Sequence, residues 1–111
     1  MLNLQDLSIP LSALTFSGPG AASAMAADWD ARHIGVLLQA VIQSSAQSAI
    51  EAGSLHTVSV TFDVSAEPKT GSEIQFESRI DRKTRTLIFA SGLAYQASGP
   101  VLKATLVYRI A

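Results

Sequence analysis

The chain has 111 residues, 48% hydrophobic and 15% charged, with a formal net charge of −1 and no cysteine. That length is about one domain, 1–111; the near-neutral charge leaves no electrostatic footprint for nucleic acid or an anionic membrane, and the missing cysteines exclude disulfides, thiolate catalysis and cysteine-based zinc sites. So much apolar material with so little polar cover predicts a buried interface between copies, in a homodimer or homotetramer.

Residues 1–27 read as an N-terminal arm or strand. Ile9, Leu11, Leu14 and Phe16 suffice for a short strand or packed arm, and Gly18-Pro19-Gly20 turns the chain into a small-residue stretch of open state. Asp6 stands where a signal peptide would carry positive charge, so this segment is expected to be mature protein.

Asp28 and Asp30 precede an apolar run, where acidic residues cap a helix by accepting its orphan N–H groups and meeting the positive end of its dipole. The pattern predicts a helix over 30–52, with Gly53 as its stop. From His33 to Ile50 this stretch has no Asp, Glu, Lys or Arg. Gln39, Gln43 and Gln47 recur every four residues and form one polar stripe beside Val36, Leu37, Ala40, Val41, Ile42 and Ile50. Amides in place of Glu and Lys suit a partly desolvated face, because an amide is satisfied by hydrogen bonds where a charge would be expensive. Such a face either forms a site or borders solvent or a partner subunit. Crossing a bilayer takes about twenty mainly apolar residues, and the Gln and Ser here break that run, so an enclosed helix outside the membrane is expected.

After Gly53 the period changes to two. Val58, Val60, Phe62 and Val64 alternate with Ser59, Thr61, Asp63 and Ser65 in a half-buried strand, ended by Pro68 and Gly71. Ile74, Phe76 and Ile80 alternate with charged and polar residues in a second, and Asp81 to Thr84 make the turn. The third, Thr86 to Tyr95, carries Leu87, Phe89, Leu93 and Tyr95 on one side and Ile88, Ala90 and Ala94 on the other, which places it mid-sheet or under an interface. Ser98-Gly99-Pro100 leads into a last strand with Leu102, Ala104, Leu106, Tyr108 and Ile110 on one face. One long helix followed by an antiparallel meander over 56–110 is the expected architecture.

The pieces "HIG", "VSVTFDVSAEP", "PKTG", "EIQFESRI", "RTLIFASGLAY" and "GPVLKATLVYRI", in this order behind one uncharged helix, resemble the acyl-CoA thioesterases of the hotdog fold, in particular the phenylacetate-degradation type. The resemblance covers roughly 28–110. It implies an α+β class in which a long central helix is wrapped by a curved antiparallel sheet. It also implies acyl-CoA or another acyl thioester as substrate, with no cofactor beyond the coenzyme A of that substrate, and a cytoplasmic location.

For the chemistry, the resemblance implies a His-Gly-Gly stretch before the helix and an Asp or Glu on it. Here His33 and Gly35 supply one glycine of two, and Gln43 stands where the acid usually sits, with Gln39 one turn earlier. A Gln holds a water or bonds a carbonyl but is no general base. The thioesterase reading therefore places the thioester carbonyl on the free N–H groups at Gly35 and Val36, has Gln39 or Gln43 position water, and draws an acid such as Asp63 or Glu67 from a second subunit. Those two acids are otherwise solvated strand and loop residues. His33 is either an acid or base of the related hydroxyacyl-thioester dehydratases or a first-turn histidine bonded locally. Arg82, Lys83 and Arg85, with Arg79 nearby, either receive the phosphates of coenzyme A or keep a sheet edge soluble. No ligand spacing for a metal appears around His33 and His56, and Ser91 lies within a strand pattern, not a nucleophile elbow. The alternative function is a module that binds an acyl thioester or hydrophobic ligand without hydrolysing it.

Overall fold

A computed structural model describes residues 11–111. The expected part of Ile9 in the arm, and Asp6, lie outside the described residues.

A short 3₁₀ turn at Leu11–Ala13 leads into a hairpin of β1 (Thr15–Gly18) and β2 (Ala21–Met25). The small-residue stretch is thus a strand: Ala22 and Ala24 are buried, and β2 pairs with the next segment's Phe76 and Ile74. Helix α1 (Ala31–Ser48) follows, then β3 (Leu55–Val64), β4 (Glu73–Lys83), β5 (Leu87–Gln96) and β6 (Gly99–Ile110).

Helix α1 begins as expected and ends early. Asp30 is the N-cap, its carboxylate accepting from the Arg32 N–H at 2.9 Å. The helix was expected to reach residue 52, but Ala49 caps it. Ser48 Oγ donates to the Ser45 carbonyl at 2.7 Å, and Lys83 Nζ donates to the Ala49 carbonyl at 2.7 Å, so the last turn's free acceptors are met there. Gly53, at φ 99°, serves the turn into β3, where a side chain would meet the Ala111 carbonyl.

The strands form an antiparallel sheet of order β1-β2-β4-β5-β6-β3. This is not the expected meander. After β3 the chain crosses the ends of β6 and β5 before entering β4, so among the described residues β3 pairs only with β6 and lies at the edge. The crossing segment is fastened at each step. Ser65 and Ala66 N–H groups donate to the Val101 carbonyl at 2.8 and 3.2 Å, the Gln96 side chain accepts from Lys69 N–H at 2.9 Å and donates to its carbonyl at 2.9 Å, and Gly71 N–H donates to the Ala26 carbonyl at 2.7 Å. The predicted turn at 81–84 also moves: Asp81 to Lys83 continue β4, and Thr84 Oγ1 accepts from Leu87 N–H at 3.0 Å to close the turn.

One face of α1 packs on the sheet through Ile34, Leu37, Leu38, Val41, Ile42 and Ala46, all buried against Ile74, Phe76, Ile88, Leu102, Leu106 and Tyr108. The sheet is small-residued where the helix presses closest. At Gly92 an added β-carbon would stand 2.7 Å from Ile42 Cγ1, and Ala90, Ala94 and Ala104 surround it. β5 is central, as its two apolar faces require.

Candidate functional site

α1 covers β4, β5 and β6 but scarcely reaches β3. A cavity of about 350 Å³ opens between the first turns of the helix and the inner face of that strand. Its helical wall is Ala31, Arg32, Gly35, Val36 and Gln39; Phe62, Val64 and Leu102 form the other. Helical spacing puts 32, 35, 36 and 39 on one flank, and strand alternation puts Phe62 and Val64 on one face. Gly35 matters here because the Phe62 ring rests against it: a β-carbon at 35 would lie 3.3 Å from Cζ. The walls are aliphatic and aromatic except for one amide, Gln39, and one guanidinium, Arg32.

The helix start is fixed by a compact ionic knot. Arg32 donates from Nε and Nη2 to Asp30 Oδ2 at 2.9 and 2.5 Å, while His33 Nδ1 accepts from the Asp30 backbone N–H at 3.2 Å and completes a capping box. The Arg32 guanidinium, above all, and then the Arg32 N–H hold the Asp30 carboxyl well below the usual carboxylate range, and the carboxylate in turn raises the Arg32 pKa. A cation beside the positive end of a helix is unfavourable alone; Asp30 neutralises it. Nη1 of Arg32 is sealed from solvent without an acceptor.

The residues singled out from the sequence are distributed unevenly around this cavity. Gly35, Val36 and Gln39 line it. Gln43, one turn further along the stripe, is exposed, as is Gln47. The uncharged helix is therefore enclosed on the sheet side, while its amide stripe runs along the open flank. Its serines partly answer why charge is absent, for Gly20 N–H donates to Ser44 Oγ at 3.0 Å where the β1–β2 turn meets the helix.

His33 lies off the cavity. Since Nδ1 accepts from the backbone, a neutral ring carries its proton on Nε2, and one nitrogen is spent on the cap. Asp63 is exposed and pairs in register with Lys103, on the opposite face from Phe62 and Val64. Within one chain it does not reach the cavity, and neither it nor Glu67 is among the lining residues. Arg82, Lys83 and Arg85 gather at the other end of the helix, where Lys83 meets Ala49. Fourteen residues of helical rise separate Gly35 from Ala49, roughly 21 Å. Arg82 lies 5.9 Å from the Phe89 ring centroid and Arg79 bonds Asp81 at 2.9 Å, so these cations are engaged locally.

Sequence reading missed Ala31, Arg32, Phe62, Val64 and Leu102 as lining residues. The signal available for Arg32 was its i, i+3, i+4, i+7 relation to Gly35, Val36 and Gln39. Gln96, the 4% exposed residue that pins the crossing segment, had no local signal at all.

No sequence-family model matches the chain, and no curated protein matches it in sequence. Solved structures do match its shape. A Streptococcus mutans protein bound to acetyl CoA superimposes with a TM-score of 0.77 at 14% identity, covering 88% of this chain and 86% of that one. A phenylacetic acid degradation-related protein of Ralstonia eutropha gives 0.74 at 16%, covering 95% and 93%. Zebrafish thioesterase superfamily member 2 gives 0.77 at 11%, covering 88% and 80%.

The chain has the hotdog fold. Its single helix and six-stranded antiparallel sheet are the elements on which this likeness in shape rests. Among the described residues, no helix is long and apolar enough to cross a membrane.

Proposed function

We propose that this hotdog protein takes the acyl group of an acyl-CoA or similar thioester into the α1–β3 cavity and hydrolyses it. The observation that carries this reading is the cavity itself, with a glycine and an amide on the first turns of a capped helix facing an otherwise apolar hollow. Its volume is near the lower end for small-molecule sites, so it suits the acyl moiety and leaves the nucleotide outside. The likeness in shape to a protein bound to acetyl CoA and to a thioesterase superfamily member supports the substrate class.

In this reading the carbonyl oxygen lies in the cavity beside Gly35 and Val36; their N–H groups, expected from the sequence to be free, fall in the second turn of a helix that starts at Ala31 and are spent on intrahelical bonds, so polarisation comes from the first-turn dipole alone. Gln39 holds the attacking water by hydrogen bonds, without acting as base. The acid comes from a second subunit, for which Asp63 and Glu67 remain the candidates, and Gln43 joins the site when that subunit covers the helix flank. The protein works as a homodimer: β3 exposes Val58, Val60, Phe62 and Val64 at 38–60% along an unpaired edge, and such an edge calls for cover. Coenzyme A enters this reading only as part of the substrate, and a cytoplasmic location belongs to the same proposal.

A second reading has its own observation. Among the described residues, no carboxylate lines the cavity of the single chain, which favours an acyl-thioester-binding module without turnover. Thiol release from short, long and aromatic acyl-CoA substrates separates the two. Turnover reduced about 10²-fold or more in Gln39→Ala, on the scale of a lost polar group at a reacting carbonyl, supports hydrolysis. Saturable binding without thiol release supports the second reading, and absence of both overturns the pair.

A further inference from the structure

The α1–β3 cavity has one polar group on its wall that the proposed reaction leaves unused. Arg32 belongs to the helical wall, and its guanidinium is gripped by one edge only, Nε and Nη2 donating to Asp30 Oδ2 at 2.9 and 2.5 Å. A side-on pair of this kind turns the third nitrogen, Nη1, away from the carboxylate. Nη1 is covered and has no acceptor. A covered donor of a charged group is costly to leave unbonded, and in a native fold such an orphan calls for a partner. The cavity itself supplies none nearby. Ala31, Gly35, Val36, Phe62, Val64 and Leu102 bring no side-chain acceptor, and Gln39 lies about 10 Å further along the helix.

The chemistry of a suitable acceptor follows from the charges around it. Asp30 already neutralises Arg32, so a carboxylate entering the cavity would have to share the guanidinium with a second anion, and two carboxylates at one site repel. A plain alkyl chain would leave Nη1 as it is. A keto or hydroxyl oxygen satisfies the donor without bringing charge. Its place follows from the helix: the Arg32 level lies about 5 Å nearer the helix start than Gly35 and Val36, a distance that an extended chain spans in about four bonds.

We infer that Arg32 selects acyl groups carrying a neutral oxygen near the fourth carbon, which accepts a hydrogen bond from Nη1. This rests on the reading that the acyl group occupies the cavity with its carbonyl beside Gly35 and Val36, and it names the acyl class without requiring turnover. Nη1 is brought to the oxygen by a pivot of the guanidinium on Asp30, for which the side chain, 34% exposed, has room. Arg32 is thus a specificity residue, and Asp30 sets the charge it prefers.

Calorimetric titration of the full chain with non-hydrolysable thioether analogues of three acyl-CoAs tests it. Levulinoyl carries a keto oxygen on the fourth carbon, succinyl carries a carboxylate there, and pentanoyl carries no oxygen beyond the carbonyl. The levulinoyl analogue is expected to bind about tenfold or more tighter than either of the others, on the scale of a hydrogen bond to a charged group. Arg32→Met, which keeps the stem, is expected to abolish the lead over pentanoyl while pentanoyl affinity is kept. Asp30→Asn keeps a good helix cap but leaves Arg32 charged, and is expected to move succinyl ahead of levulinoyl. A merely structural role for the pair would weaken all three analogues alike. If Arg32→Met does not fold, the ranking in Asp30→Asn carries the test. Equal binding of the three analogues, or a ranking untouched by Asp30→Asn, overturns this inference and leaves the cavity reading standing; no binding of any analogue overturns both.

Discussion

Phe62, on β3, rests the edge of its ring against Gly35, on the second turn of α1, with Cζ 3.3 Å from where a β-carbon at 35 would stand. That contact sets the width of the cavity. Phe62 is 41% exposed at the sheet edge, so it is free to yield by a few tenths of an ångström. Gly35→Ala is therefore expected to leave the melting temperature unchanged or slightly raised, since alanine in a helix interior gains about 0.5–1 kcal/mol over glycine. Acyl-thioester affinity is expected to fall at the same time, and calorimetry on one preparation measures both.

The helix start offers a stability prediction with a pH sign. Asp30→Ala removes the cap and the partner of Arg32, and is expected to cost about 1 kcal/mol in denaturant unfolding. Because the folded-state pKa of Asp30 is depressed, its contribution is fully present above the ordinary carboxylate pKa of about 4. It is lost as pH falls from there towards the folded-state value. The gap between wild type and Asp30→Ala should hold steady from pH 5 to pH 7, roughly, and narrow below about pH 4. A gap that widens in acid would mean the carboxylate is not held in its charged form by Arg32.

Gln96 is buried and bonds both backbone groups of Lys69, at 2.9 Å each. Gln96→Leu keeps the bulk but leaves those groups unpaired, at an expected cost of about 1–3 kcal/mol. Hydrogen exchange at the Lys69 amide should accelerate far more than at strand amides such as Ala104, because the crossing segment opens before the sheet does.

How these features stood in the sequence follows from what local pattern encodes. Alternation correctly sorted Phe62 and Val64 onto one face and Asp63 onto the other, and two apolar faces correctly made β5 central. Alternation says nothing of what covers a face. The apolar side of β3 was expected to be half-buried, yet Val58 is 60% exposed, because the crossing segment carries β3 past β6 to the edge, beyond the reach of the helix. That crossing depends on Gln96 meeting Lys69 across 27 positions of sequence, a relation no window detects. The helix stop was misplaced by a nearer cause: Gly53 looked like a cap, while serine hydroxyls and Lys83 met the free carbonyls a turn earlier. At the candidate site, Gln39 stood out by the four-residue repeat of amides, while Gly35 and Val36 were expected only from the family resemblance. Arg32 was not expected, since its neutralisation by Asp30 is a matter of geometry.

Gly92 fixes the distance between helix and sheet. A β-carbon there would lie 2.7 Å from Ile42 Cγ1 and 2.9 Å from the Glu77 carbonyl oxygen. Gly92→Ala is expected to destabilise by about 1–3 kcal/mol through overpacking. Adding Ile42→Val should recover only part of that loss in chemical denaturation, because the backbone oxygen cannot move aside as the isoleucine can.

The central claim is that the acyl group lies between the first turns of α1 and the inner face of β3. Backbone amide shifts, recorded while a non-hydrolysable thioether analogue of an acyl-CoA is titrated in, test it most directly and under either functional reading. Saturable shifts centred on Gly35, Val36, Gln39 and Phe62 are expected, with little change around Ser91. Shifts confined to other surfaces, or none at saturating analogue, would contradict it.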